Sequence, residues 1–189
     1  MAAPETATTL DYSGKWVMNK ALSDDTDQLL SLQGVGWVTR KAIGMATLTI
    51  KMTHYKDDAG IEHVDADQSL GGGLAGTKEE RNLSNTPKEH TDYIFGSVIG
   101  RSLRAQLADL DCDFLKQGWT EDSTANGFLQ SIAESNPAKN GGRTWKADQI
   151  WGFAMINGER RYTRRIKFTG PKGEDLEKRL VYDYIGPAV

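Results

Sequence analysis

The sequence predicts an all-β fold: a closed or nearly closed antiparallel up-and-down β-barrel of about ten strands, with a helix-turn-helix lid after the first strand. Short segments of alternating apolar and polar residues recur along most of the chain, which is typical of half-buried strands. Asn157-Gly158 separates two of these segments and is a strong signal for a two-residue hairpin. Residues 23–45 carry helical periodicity instead, and they fall between the first two strands.

The start of the chain predicts a tail, one strand and two short helices. Residues 1–10 are small and polar, so we expect a disordered tail before a single domain at 11–186. A short strand follows at 12–18. Ser23 and the two acids after it favour a helix start, and leucines at 29, 30 and 32 give that helix an apolar face. The Gly-Val-Gly run at 34–36 ends it, and a second short helix fits 37–43.

The rest of the chain predicts strands separated by turns rich in glycine. The expected strands are residues 46–55, 61–70, 74–83, 89–96, 98–107, 114–119, 127–134, 149–156, 159–168 and 176–184. The strand at 74–83 is polar and is expected to be exposed, after a turn at Gly71-Gly72-Gly73. The region 108–148 has the weakest pattern of all.

Composition excludes several classes of protein. The chain has 189 residues and a net charge of −3, with 38% hydrophobic and 26% charged residues, so no basic patch for nucleic acid is expected. No apolar run reaches the roughly 18 residues of a membrane span, and residues 1–10 lack the features of a signal peptide, so a cytoplasmic location is expected. One cysteine and three scattered histidines predict neither a disulfide nor a metal site, and we expect no cofactor.

Two motifs resemble a known superfamily. Gly14-Lys15-Trp16 on the first strand resembles the Gly-x-Trp signature of the calycins, in which the tryptophan plugs one end of the barrel. Residues 29–41, which contain Gly34-Val35-Gly36-Trp37 and Arg40-Lys41, resemble the helix-turn-helix of the cytosolic fatty-acid-binding proteins. The resemblance is close over residues 13–45 and extends only to architecture elsewhere; it implies a lipocalin-like barrel that binds a small hydrophobic molecule.

One departure from this resemblance concerns the ligand. The family holds a carboxylate with an Arg-x-Tyr pair on the last strand, whereas this chain has Arg179-Leu180-Val181-Tyr182 there. Because side chains alternate along a strand, Arg179 and Tyr182 face opposite sides. The usual clamp is therefore not expected, and a plain fatty acid is not the expected ligand.

Alternation also selects the side chains that should line the barrel interior. In the hairpin at 149–168, the aromatic faces are expected to point inward, and this places Arg164 among aromatic rings. Such an arginine either pairs with a protein carboxylate or reaches solvent at the rim, or it binds ligand oxygens together with Tyr162 and Tyr182. The predicted ligand-binding residues are Met52, His54, Trp151, Phe153, Met155, Tyr162, Arg164, Phe168, Tyr182 and Tyr184.

Two functions fit a lined cavity of this kind. The first is binding of a lipid, or of a polyketide-like or terpenoid-like acid or carbonyl compound, within the barrel. The second is a cofactor-free isomerase or cyclase that acts on such a molecule in the same cavity, with Arg164, Tyr182 and His54 as candidate catalytic residues. The alternative for His54 is a structural role, as a hydrogen-bonded histidine near the end of a strand.

Overall fold

The computed structural model describes residues 1–71 and 76–188, and its backbone is a single antiparallel sheet of ten strands curled into a half-barrel. The strands are β1 (Gly14–Met18), β2 (Leu48–Lys56), β3 (Glu62–Leu70), β4 (Thr77–Asn82), β5 (Lys88–Asp92), β6 (Gly96–Ala105), β7 (Phe128–Ser135), β8 (Lys146–Ile156), β9 (Glu159–Thr169) and β10 (Asp175–Gly186). Their order in the sheet is β4-β3-β2-β1-β10-β9-β8-β7-β6-β5. The predicted fold class is therefore confirmed.

The helical lid lies where the sequence predicts it. Helices α1 (Asp27–Leu32) and α2 (Trp37–Met45) follow β1, and Gly34 adopts a φ of +95° between them. That left-handed conformation suits glycine because it has no side chain to clash with the backbone. Leu29 and Leu30 bury the apolar face of α1, whereas α2 has no buried residue.

Residues 108–148 differ from the prediction at one element. The expected strand at 114–119 is wrong: helix α3 (Asp113–Lys116) lies there, followed by α4 (Glu121–Asn126), each with acids in its first turn. Leu115 joins Phe128 and Ile150 in a second apolar cluster, away from the main core. The apolar residues of 114–119 therefore pack a helix against the sheet. The apolar pattern of so short a segment does not distinguish such a helix from a strand. The expected strand at 127–134 is confirmed as β7.

The N-terminal segment also differs from the expectation of a disordered tail. Ala3 and Ala7 are buried, and the amide of Ala3 donates a hydrogen bond of 2.7 Å to the carbonyl of Arg160. The guanidinium of Arg160 in turn donates to the carbonyl of Ala7 at 2.8 Å. Small residues such as alanine produce almost no hydrophobic pattern in the sequence. Only the folded structure therefore reveals that this segment packs against the barrel.

The main core lies inside the sheet and consists largely of aromatic rings. Trp16, Tyr162 and Phe153 pack with ring centroids 5.2 to 6.1 Å apart, and Trp16 donates an indole hydrogen bond of 3.0 Å to the carbonyl of Tyr12. These rings fill one part of the interior. The predicted turn at Gly71-Gly72-Gly73 lies partly outside the described residues.

Candidate functional site

The interior polar site is built on three neighbouring strands. The register places Trp151 of β8 opposite Arg164 of β9, and Arg164 opposite Leu180 of β10. Tyr162 and Tyr182 form the next pair along the same face. Because alternate side chains of each strand share one face, the hairpin at Asn157-Gly158 brings these side chains together.

Arg164 is the central charge of this site and is only 7% exposed. Its Nε donates a hydrogen bond of 2.7 Å to the hydroxyl of Tyr162, and its Cζ lies 3.7 Å from the ring centroid of Trp151. Within the described part of the chain, Arg164 forms no ion pair, and its Nη2 has no hydrogen-bond partner. Since burying an unpaired cation is costly, this arrangement is suited to an acceptor that a ligand supplies.

Two further donors share this environment. Among the residues that the structure describes, the hydroxyl of Tyr182 and the Nε1 of Trp151 are buried without a hydrogen-bond partner. The ring of Tyr182 lies 5.1 Å from the Cζ of Arg164. Burial raises the pKa of Tyr182 and of Tyr162, so both phenols are neutral at physiological pH and can donate. An oxygen acceptor in the interior would therefore meet several donors at once.

Strand β4 contributes a second polar group that the sequence reading missed. Arg81 donates to the hydroxyl of Ser131 at 2.8 Å, pairs with Glu79, and holds its Cζ 5.1 Å from the ring of Trp151. Burial alone would raise the pKa of Glu79, but Arg81 and Arg164 outweigh it and keep that pKa below its usual value. Glu79 and Arg81 are two residues apart on one strand face, which is the only sequence signal for this pair.

His54 belongs to a different network. Its Nδ1 accepts a hydrogen bond of 3.2 Å from the amide of Tyr12, and its Nε2 lies 2.8 Å from Glu62, which also pairs with Arg104. Burial lowers the pKa of His54. Both ring nitrogens therefore have protein partners, which agrees with the alternative of a hydrogen-bonded histidine.

The other predicted ligand residues divide into three groups. Met52, Phe153 and Phe168 are fully buried in the main core, and Tyr184 is partly buried against it. Met155 is 57% exposed, so its predicted place in the interior is wrong. It lies one residue before the end of β8 and opposite Arg160, beside the exposed Asn157-Gly158 turn of the hairpin.

Open space adjoins the second polar group rather than the aromatic core. A cavity of about 260 Å³ lies between β4, β5 and β6, and its lining includes Glu79, Arg81, His90 and Ser102. Among the described residues, no three histidine, cysteine, aspartate or glutamate side chains are grouped as metal ligands. No described helix is long and apolar enough to cross a membrane.

Solved structures with a similar backbone define the class of fold. A fatty-acid-binding protein from the brain of Drosophila melanogaster has a TM-score of 0.54 and 13% identity, covering 92% of this chain and 99% of its own. The fluorescent protein UnaG has a TM-score of 0.54 and 10% identity, covering 92% and 97%. The REP1-NXSQ fatty acid transporter has a TM-score of 0.52 and 14% identity, covering 92% and 95%. The chain thus has the calycin fold of the fatty-acid-binding proteins.

Sequence relatives then define the family within that fold. The chain is 31% identical to the probable pericyclase scpY of Mollisia scopiformis over 189 residues, which covers 98% of this chain and 96% of the relative. It is 28% identical to the pericyclase pydY of an Acremonium species over 191 residues, covering 99% and 98%. No protein-family model matches the chain. The chain belongs to the same family as the probable pericyclase scpY.

Proposed function

We propose that this protein is a cofactor-free pericyclase that folds a flexible, largely apolar small molecule inside the barrel and accelerates its rearrangement or cyclisation. The observation that carries the proposal is the group of buried donors with no described partner: Arg164 Nη2, Tyr182 hydroxyl and Trp151 Nε1. The printed names of the two relatives support the reaction class.

A pericyclic step redistributes bonds within the substrate and needs no external acid, base or redox partner. The protein then has two tasks. The interior holds the reacting ends of the chain close together, which removes much of the entropic cost of ring closure. Hydrogen bonds from Arg164 and Tyr182 withdraw electron density from a conjugated carbonyl, which lowers the barrier for attack by an electron-rich diene or alkene.

In this proposal Arg164 and Tyr182 touch the reacting group, and Trp151 stacks beneath the guanidinium and positions it. Tyr162 fixes the side chain of Arg164 through its hydroxyl. Met52, Phe153, Phe168 and Tyr184 supply apolar surface, while His54 supports the fold through Glu62. A cytoplasmic location remains a prediction.

The decisive experiment uses linear polyenes that end in an unsaturated ketone or acid as substrates. We expect a product of identical mass and altered chromatographic retention, with one stereoisomer in excess over the uncatalysed mixture. Arg164→Met and Tyr182→Phe should each reduce the rate by about tenfold to a thousandfold, as loss of one transition-state donor does elsewhere. Arg179→Met and Tyr55→Phe, on other surfaces of the barrel, are the matched controls.

The alternative function is a carrier, which the fold of the fatty-acid-binding proteins favours. A carrier would bind the same compounds with saturable affinity and release them unchanged. Recovery of only unchanged compound, over times in which scpY or pydY converts its own substrate, would support the carrier and reject the pericyclase.

A further inference from the structure

The two ends of the sheet meet in a seam rather than in a hydrogen-bonded ladder. Strands β4 and β5 are the terminal strands, and neither pairs with the other along its length. In the described part of the chain, the contacts across the seam include an isolated bridge between Ser84 and Leu103 and the hydrogen bond from Arg81 to Ser131. The cavity of about 260 Å³ lies in this seam and is open to solvent.

Cations line the seam from the surface to the interior. Lys88 of β5 is exposed, Arg81 of β4 is half-buried, and Arg164 is buried. The Cζ atoms of Arg81 and Arg164 lie 5.1 and 3.7 Å from the ring of Trp151, so both guanidinium groups pack on the same side chain. The three charges therefore form a path that leads inward.

The two carboxylates that line the cavity, Glu79 and Glu80, offset only part of the positive charge of its lining. Glu79 pairs with Arg81, and Glu80 pairs with Lys78 at 2.8 Å. Neither Lys88 nor Arg101, at the outer edge of the seam, forms an ion pair with a described residue. Uncompensated positive charge at the mouth of a cleft attracts anions and raises their rate of association.

The lid offers a poorer entrance. Arg40 of α2 donates to Asp27 at 3.1 Å and to the carbonyl of Val35 at 3.0 Å, which ties the two helices together. Lys20 donates to the carbonyl of Gly44 at 2.7 Å and fastens the end of α2 to the segment after β1. A ligand entering there would have to break these contacts, whereas the seam is already open.

We propose that the substrate is an acidic molecule, with a carboxylate or an acidic enol, that enters through the seam between β4 and β5. Its anionic oxygen passes Lys88 and Arg81 and comes to rest on Arg164 and Tyr182. The proposal rests on the function assigned above to Arg164, and it adds the charge of the substrate and the route by which it arrives.

Gly100 is the position at which a substitution can narrow the opening of the seam. It lies on β6 beside the seam, and a Cβ there would meet its nearest neighbours at 3.8 and 3.9 Å, which is ordinary van der Waals contact. A larger side chain at this position would narrow the opening. Gly44 is the matched site, because it borders the crevice between the lid helices and a Cβ there would meet nothing within 4 Å.

The experiment follows stopped-flow binding of two fluorescent probes, the anionic anilinonaphthalene sulfonate and the uncharged N-phenylnaphthylamine. Gly100→Leu should slow association and dissociation of both probes by on the order of tenfold, because entry then requires a conformational change. Lys88→Glu should slow association of the sulfonate alone by roughly threefold to tenfold, and added salt should reduce that difference. Lys51→Glu, on the outer face of β2, should change neither rate.

Unchanged rates in Gly100→Leu, or slower rates in Gly44→Leu instead, would overturn entry through the seam. An equal response of both probes to Lys88→Glu would overturn selection for an anion. The probes report binding without turnover, so absence of an isobaric product with normal probe kinetics would reject the pericyclase and leave the seam standing. A circular dichroism spectrum of each variant confirms that it is folded.

Discussion

At the scale of single residues, Arg164 is the side chain on which the proposed function depends most. It is buried beside Trp151 and Tyr162, and no described residue forms an ion pair with it. A protein that needed only stability would replace such a group with an apolar one, since buried charges rarely repay their desolvation. In the proposed function the charge binds the substrate, and this role would explain a buried cation that lowers stability.

Arg164→Met should accordingly separate stability from function. We expect the melting temperature to stay the same or rise, by up to the equivalent of about 4 kcal/mol, because a methionine of similar volume removes an unpaired buried charge. Affinity for anilinonaphthalene sulfonate should fall by on the order of tenfold, the value of a charged hydrogen bond. Arg179→Met is the control, and a large drop in melting temperature for Arg164→Met would show that the charge is structural.

His54 predicts a dependence of stability on pH. Burial lowers its pKa from the usual 6.5, so the neutral ring is favoured in the folded protein. As the pH falls below about 6.5, the unfolded chain takes up the proton first, and stability is lost until the pH passes the lowered pKa. Thermal melts between about pH 7 and pH 5 should therefore show a falling melting temperature.

A variant of this histidine tests that assignment. His54→Gln should flatten this part of the pH profile, because it removes the ring whose pKa is lowered by burial. A slope that survives in His54→Gln would assign the effect to another group.

At the scale of elements, the N-terminal segment and the lid close different parts of the barrel. The lid follows β1 as a helix pair tied by Arg40. The N-terminal segment lies against the hairpin of β8 and β9, where Arg160 holds the carbonyls of Pro4 and Ala7 and places its Cζ 3.9 Å from the ring of Phe153. Both elements shield apolar side chains that the curled sheet leaves uncovered.

Removal of residues 2–8 should therefore destabilise the barrel. Arg160 would lose two carbonyl acceptors and the segment would uncover apolar surface, so we expect a loss of roughly 1–3 kcal/mol in the free energy of unfolding by urea. An unchanged midpoint and slope would mean that the segment is the loose tail that its sequence suggests.

At the scale of the whole molecule, one apolar core joins strands from both halves of the sheet. The main cluster includes Trp16 of β1, Val64 of β3, Val98 of β6 and Trp151 of β8. Contacts of that range favour cooperative unfolding of the chain as a single domain. The domain at 11–186 is thus a prediction that unfolding can test.

Tryptophan fluorescence and far-ultraviolet circular dichroism should give the same unfolding midpoint in urea. Trp16, Trp145 and Trp151 are buried in the core, so fluorescence reports its packing, while circular dichroism reports the sheet. Two separate midpoints would show that the barrel unfolds in parts. Binding of a tight ligand should raise both midpoints together.

Local sequence patterns account for the parts of the fold that were predicted correctly. Alternation located all ten strands, the Asn157-Gly158 turn located the hairpin, and the glycines at 34 and 36 located the break in the lid. These features depend on residues close together in sequence, so one chain suffices to recognise them. One further strand was expected wrongly: the pattern at 114–119 belongs to α3 and the turn after it.

The sequence by itself determined the barrel, its lid and most of the inward face of the last three strands, because these features follow from a period of two or from local turn residues. Only the tertiary structure decided that Arg164 is buried with an Nη2 that lacks a described hydrogen-bond partner, that Arg81 of a polar strand reaches Trp151, and that Met155 lies outside. Those facts depend on how far the sheet curls and where its two ends stop. The curvature of the sheet accumulates over all ten strands, so no local sequence pattern predicts it.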